Sequence, residues 1–113
     1  MGPMSRNGHR RAELRSLALH REIAARIAAE PTLLGPARRR VAGWLAAGGP
    51  SREYAAAWQA LLDGPREVLL AVLTTDDERS RDLRQATPFA YVVPPRERWR
   101  IWRAVPDDEE PAP

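Results

Sequence analysis

The sequence predicts an all-α protein, an irregular bundle of five to six short helices. Apolar residues recur at intervals of three and four along most of the chain, as they do on one face of a helix. Proline and glycine interrupt these stretches at short intervals, and the alternating patterns of β-strands are nearly absent. The 113 residues have room for one compact domain. We place it at residues 11–105, between a disordered basic N-terminus (1–10) and a disordered acidic tail (106–113).

The first helix is expected from about Ala12 to Glu30. Leu19, Ile23 and Ile27 lie four apart and form an apolar stripe, and a second stripe runs beside it. Pro31 ends the helix because its ring removes a backbone donor and clashes with the preceding turn. The second stripe consists of Leu14, Leu17, Ala24 and Ala28.

Glycine and proline delimit the next three helices. The second helix follows a short turn at Thr32 and has Pro36 in its first helical turn. It runs to Ala47 and ends at Gly48-Gly49-Pro50. Ser51 is expected to cap the third helix, and Gly64-Pro65 separates that helix from a fourth at Arg66–Leu73. The inward positions are predicted to be Val41, Trp44 and Leu45 in the second helix and Tyr54, Trp58, Leu61 and Leu62 in the third. The fourth helix carries the apolar residues Val68, Leu69, Val72 and Leu73.

Two further helices are predicted in the C-terminal third. Thr75 with Glu78 three residues later matches a capping box, which would open a polar helix from about Asp76 to Gln85. The segment Thr87–Val93 is the least helical, and we expect an extended connector there that buries Phe89. Pro94-Pro95 then precedes a final helix from about Arg96 to Ala104.

The composition excludes several classes of protein. Without cysteine, the chain has no disulfide, thiolate zinc site or cysteine nucleophile. No stretch approaches the roughly 18 apolar residues of a membrane span. The basic N-terminal residues have no apolar segment behind them, as a signal peptide requires. We therefore expect a cytoplasmic protein.

The positive charge is concentrated in two parts of the chain. Residues 1–40 hold nine arginines and three acids, and residues 94–105 hold four arginines and one acid, whereas 106–113 hold four acids and no base. Every basic residue of the sequence, apart from the two histidines, is arginine. We attribute the absence of lysine to the codon usage of a GC-rich genome and not to phosphate recognition.

No group of residues predicts catalysis, a metal site or a cofactor. His9 lies in the N-terminal segment and His20 in the first helix, and neither has a second metal ligand or a nucleophile at the required spacing. His20 is expected to be structural or solvent-facing. The acids Asp76, Asp77, Glu78 and Asp82 lack the alternating ligands and glycine of a calcium loop. The sequence therefore predicts a protein that is not an enzyme.

Two basic clusters are the candidate partner-binding residues. Arg38, Arg39 and Arg40 form a compact patch on the second helix. In the last helix, arginines spaced four and three apart share one face, and two tryptophans lie three apart. Such a helix has the composition of an interface hot spot, whereas the alternative is that the tryptophans close the core. The residues of this second cluster are Arg96, Trp99, Arg100, Trp102 and Arg103.

Nucleic acid is the alternative partner for these clusters. Arginines beside aromatic rings can bind phosphates and stack on bases. A helix-turn-helix formed by the fourth and fifth helices is disfavoured, because Asp76, Asp77 and Glu78 would face the phosphates at the leading end of the recognition helix.

Four segments carry a resemblance to known proteins. They are Leu17-Ala18-Leu19-His20, Trp58-x-x-Leu61-Leu62, Leu83-Arg84-Gln85-x-x-Pro88-Phe89-Ala90 and Glu97-Arg98-Trp99. Because of these segments, the chain resembles small helical proteins of actinobacteria and other GC-rich genomes over about residues 11–104. The genes of those proteins tend to lie beside genes for toxin-like proteins, including nucleotidyltransferase-type toxins. The resemblance implies an antitoxin that neutralises such a toxin by direct binding, and it implies no catalytic residue.

Overall fold

The computed structural model describes residues 3–49 and 52–106, with side chains from residue 10 onward. These residues form six α-helices and two short 3-10 helices and contain no β-strand, so the all-α prediction is confirmed. No helix among them is both long enough and apolar enough to span a membrane. The α-helices are α1 (Pro3–Ala29), α2 (Leu34–Ala47), α3 (Arg52–Asp63), α4 (Arg66–Thr74), α5 (Glu78–Gln85) and α6 (Pro95–Ala104), and the 3-10 helices are Pro31–Leu33 and Ala90–Val92.

Helix α1 is the element against which α4, α5 and α6 pack. Its central residues Ile23 and Ile27 are completely buried, as their spacing predicted. The helix begins at Pro3, whereas the sequence predicted a disordered segment over 1–10 and a helix from Ala12. Because N–H groups at the first positions of a helix have no helical acceptor, a proline there removes no hydrogen bond, and Pro3 is compatible with this earlier start. Of the predicted acidic tail, residues 107–113 lie outside the described residues.

The remaining helices pack in sequence, α2 on α3, α3 on α4 and α4 on α5. Helix α2 ends at Gly48, where the φ of 73° lies in the left-handed region that glycine adopts without a Cβ clash. Gly49 follows with a φ of 98°. The predicted cap of α3, Ser51, lies outside the described residues.

The centre of the core is an aromatic pair, Trp58 of α3 and Phe89 of the segment before α6. Their rings meet edge to face with centroids 5.5 Å apart, and neither side chain is exposed to solvent. This geometry is favourable because the positive edge of one ring meets the negative face of the other. The predicted burial of Phe89 is confirmed.

The start of α5 differs from the prediction. The backbone N–H of Ser80 donates to the carboxylate of Asp77 at 2.7 Å, so Asp77 is the N-cap and the helix begins at Glu78. Thr75 does not cap α5, because it ends α4 with its N–H donated to the carbonyl of Ala71. The predicted Thr75–Glu78 capping box is therefore wrong.

The connector before α6 is also more ordered than predicted. Ala90–Val92 form a turn of 3-10 helix where the sequence predicted an extended connector. The Tyr91 hydroxyl donates to the carbonyl of Leu33 and accepts the N–H of Ala37 at 3.1 Å. Because the Tyr91 hydroxyl bridges Leu33 and Ala37, the N-cap residue and a residue of the first turn, it stabilises the start of α2.

Candidate partner-binding face

Helix α6 lies antiparallel on α1 and is attached to it at two points. Near its start, Glu97 pairs with Arg26, which also binds Glu22 at 2.7 Å. Near its end, the ring of Trp102 is covered by the guanidinium of Arg15, 5.0 Å from the ring centre. These contacts fix which side of α6 meets the bundle and which side meets solvent.

The two tryptophans of α6 are exposed and do not close the core. Trp99 is 58% exposed and Trp102 is 40% exposed, although most large apolar side chains of the described residues are covered. Exposing a tryptophan is unfavourable in water, because burying its large apolar ring lowers the free energy. Such rings on a surface helix are characteristic of a binding site.

Arginines surround these tryptophans on the solvent side. Arg96, Arg100 and Arg103 are all exposed, and the guanidinium of Arg103 lies 6.0 Å from the centre of the Trp99 ring. Glu97, the acid of α6, is held on the inner side by Arg26. The outer surface, which we call the Trp–Arg face, is therefore apolar and positively charged; it consists of Arg96, Trp99, Arg100, Trp102 and Arg103.

A shallow depression adjoins the Trp–Arg face at its two tryptophans. It has a volume of about 180 Å³ and is lined by Pro95, Arg98, Trp99 and Trp102. The Nε atom of Arg98 is buried there without a hydrogen-bond partner among the described residues. The depression has room for one or two side chains of a partner, but it is too open to enclose a small molecule.

The second predicted cluster, Arg38–Arg40, lies on α2, in a different helix pair from the Trp–Arg face. Arg38 donates to the carboxylate of Asp63 at 3.2 Å and to the carbonyl of Leu62 at 2.8 Å, so it binds the C-terminal end of α3. Arg39 and Arg40 are exposed. The structure thus gives Arg38 an intramolecular role, whereas Arg39 and Arg40 are directed to solvent.

His20 is buried in a hydrogen-bond chain. Its Nδ1–H donates to the Ser16 carbonyl at 2.8 Å, and its Nε2 accepts the hydroxyl of Thr87 at 2.9 Å. Burial of the ring lowers the pKa of His20 to about 4, and the nearby Arg84 adds to this effect, so the imidazole is neutral at pH 7. Of the two expectations for His20, structural or solvent-facing, the structural one is confirmed.

Sequence reasoning missed Arg84, which is buried in α5 with 2% of its surface exposed. Its Nη1 donates to the carbonyls of Val72 and Thr75 at 2.9 and 2.7 Å, and it thereby caps the C-terminal end of α4. The sequence did indicate that Arg84 is buried, because position 84 directly follows the apolar Leu83 and lies four residues after Ser80. These three residues form the buried side of α5.

The acids at the start of α5 take part in ion pairs and caps. Asp76 binds Arg81 at 3.1 Å and Arg10 at 3.4 Å, and the bond from Arg81 holds the pKa of Asp76 below its usual value. Asp82 accepts the hydroxyl of Tyr54 at 3.1 Å. Within the described parts of the chain, no three histidine or acidic side chains lie together as a metal ion would need.

Comparisons with protein-family models, with curated proteins and with solved structures found no match to this chain.

Proposed function

We propose that this protein is a protein-binding regulator, and specifically the antitoxin of a bacterial toxin–antitoxin pair, which neutralises its toxin by direct binding. The observation that supports a protein partner is the solvent exposure of Trp99 and Trp102 on the Trp–Arg face. The antitoxin assignment and the toxin class, a nucleotidyltransferase, come from the resemblance of residues 11–104 described above.

The chemistry of the Trp–Arg face suits a partner surface with an apolar pocket and an acidic rim. Tryptophan and arginine are the residues most enriched at the centres of protein interfaces. Trp99 would enter the pocket, while Arg96, Arg100 and Arg103 would pair with carboxylates around it. The active site of a nucleotidyltransferase holds metal-binding carboxylates, which arginines of an inhibitor could pair with.

The proposal is tested by neutralisation in cells and by capture. The protein encoded by the gene beside that of this chain, which the proposal expects to be a toxin, is expressed in a host with and without the chain, and growth is recorded. The tagged chain is then used to capture proteins from a nuclease-treated lysate of its source cells. We expect growth arrest by the toxin, rescue by the chain, and capture of that toxin in a stoichiometric, salt-resistant complex.

Variants connect these results to the Trp–Arg face. Trp99→Ser is expected to abolish rescue and capture. Val68→Ser is the matched control, because Val68 of α4 is also apolar and 49% exposed but is outside the face. The antitoxin assignment is wrong if the neighbouring protein is harmless or if the chain does not restore growth.

A second candidate is a nucleic-acid-binding regulator that uses Arg39, Arg40 and the arginines of α6. The exposure of these side chains favours it. Binding through several phosphates weakens by orders of magnitude between about 50 and 200 mM salt, because counterions are released from the nucleic acid. A packed protein interface changes much less, so a salt series on the captured complex distinguishes the two candidates.

A further inference from the structure

A groove lies between α1, α5 and the end of α6, next to the Trp–Arg face. Its volume is about 510 Å³, within the usual range for small-molecule sites. Arginines from two helices line it, together with the apolar side chains of Leu19 and Trp102. None of the ten described residues that line it is acidic. The groove therefore combines basic side chains with an apolar wall.

The floor of the groove contains a buried cation. Arg84 lines the groove with 98% of its surface covered, and two of its donor atoms, Nε and Nη2, have no hydrogen-bond partner among the described residues. Only Nη1 is used, to cap α4. Asp76 and Asp77 act on Arg84 through space, but both are engaged, Asp76 with Arg81 and Asp77 with the N–H of Ser80. A buried guanidinium with unused donors is stabilised by an anion placed above it.

The wall of the groove presents a second arginine in a fixed position. The guanidinium of Arg15 is stacked on Trp102, and its Nε is buried without a partner among the described residues. Stacking holds the plane of the guanidinium, whose two terminal nitrogens can form a bidentate bond to an oxyanion. Arg11 stands at the same wall. Arg15 and Arg84 thus approach the groove from α1 and α5.

We propose that this groove binds a small phosphate ester of mononucleotide size. The phosphate lies over Arg84 and bonds to Arg15, and the flat ring of the ligand packs on Leu19 and on the edge of the Trp102 ring, whose face Arg15 covers. This site takes a small molecule and shares only Trp102 with the Trp–Arg face, so the isolated chain is sufficient to test it.

Calorimetric titration of the purified full chain tests the groove with three probes. Adenosine monophosphate carries both the ring and the phosphate, adenosine carries only the ring, and inorganic phosphate carries only the anion. We expect saturable one-to-one binding of adenosine monophosphate, with each of the other two at least about tenfold weaker. In a nitrogen–proton correlation spectrum, the indole N–H of Trp102 should shift and that of the buried Trp58 should not.

Paired variants assign the binding to the groove. Arg15→Gln should weaken the binding of adenosine monophosphate about tenfold or more, whereas Arg39→Gln, which removes an exposed arginine from α2, should leave it unchanged. Circular dichroism of both variants checks that they are folded. The proposal is overturned if no saturable binding is seen up to about 5 mM ligand. It is also overturned if the two variants bind equally well or if the Trp102 signal does not move.

Discussion

His20 and Thr87 are hydrogen-bonded at 2.9 Å although 67 positions separate them in the chain. The Thr87 hydroxyl donates to His20 Nε2 and accepts the N–H of Phe89 at 3.1 Å. Because Phe89 packs on Trp58, this chain of bonds joins α1 to the centre of the core. It requires a neutral imidazole, since Nε2 must accept the hydrogen bond from the Thr87 hydroxyl.

Stability should therefore fall as His20 becomes protonated. The pKa of His20 is about 4 in the folded protein and 6.5 when solvated, so the unfolded chain binds the proton first as the pH falls. The stabilisation is complete above pH 6.5 and is lost as the pH falls towards 4. The shift corresponds to a loss of up to about 3 kcal/mol in the free energy of unfolding, measured by urea denaturation at several pH values.

His20→Gln is the control for this pH dependence. Carboxylates also titrate at low pH, so the relevant quantity is the difference between the wild type and the variant between pH 6.5 and 4. The variant should be less stable at pH 7 but should lose less stability across that interval. Parallel curves for the two proteins would show that His20 is not the titrating group.

Tyr91→Phe tests the attachment of the connector to α2. The substitution removes the hydroxyl that bonds Leu33 and Ala37 and leaves the buried N–H of Ala37 without that partner. We expect a loss of about 1–2 kcal/mol in the free energy of unfolding. Hydrogen exchange should also be faster at the start of α2 than at its end. A variant as stable as the wild type would contradict the assigned role of the hydroxyl.

Substitution of Trp58 and of Trp99 should change the free energy of unfolding to very different extents. Trp58→Ala removes a completely buried ring and should cost about 3–5 kcal/mol in unfolding free energy. Trp99→Ser alters an exposed ring and should change that free energy by no more than about 0.5 kcal/mol. Denaturation of both variants in urea provides the comparison. A large destabilisation by Trp99→Ser would place this ring in the core.

The arginines of the Trp–Arg face should govern how fast the partner associates. Replacing Arg96, Arg100 and Arg103 together with Gln removes three exposed positive charges and should slow association several-fold at low salt, with a smaller effect at high salt. Surface plasmon resonance with the captured partner measures both rates. An association rate that is unchanged at low salt would exclude electrostatic steering by these arginines.

Patterns that act within one helix were predictable from the sequence. The four-residue spacing of Leu19, Ile23 and Ile27 predicted the inner side of α1, and Pro31 predicted where α1 ends. Gly48 and Gly49 predicted the end of α2, because few other residues adopt a positive φ. The shared side of Arg96, Arg100 and Arg103 followed from helical geometry alone.

Features that depend on contacts between distant segments were not predictable. The 3-10 turn at Ala90–Val92 is stabilised by Tyr91 reaching α2, and nothing in the local sequence indicates this. The hydrogen bond between His20 and Thr87 likewise cannot be inferred from the spacing of residues in the sequence. At the start of α5, Thr75 and three consecutive acids all have side chains that can cap a helix. Choosing Asp77 among them depends on where α4 ends.

Binding of the captured partner to Trp99→Ser, compared with its binding to Val68→Ser, decides whether the Trp–Arg face is the interface. If the Trp–Arg face is the interface, Trp99→Ser raises the dissociation constant by about 30-fold or more, the effect of losing a hot-spot residue. Val68→Ser then changes the constant less than about twofold, since Val68 lies outside the face. Equal dissociation constants for the two variants and the wild type would contradict the account and place the interface elsewhere on the molecule.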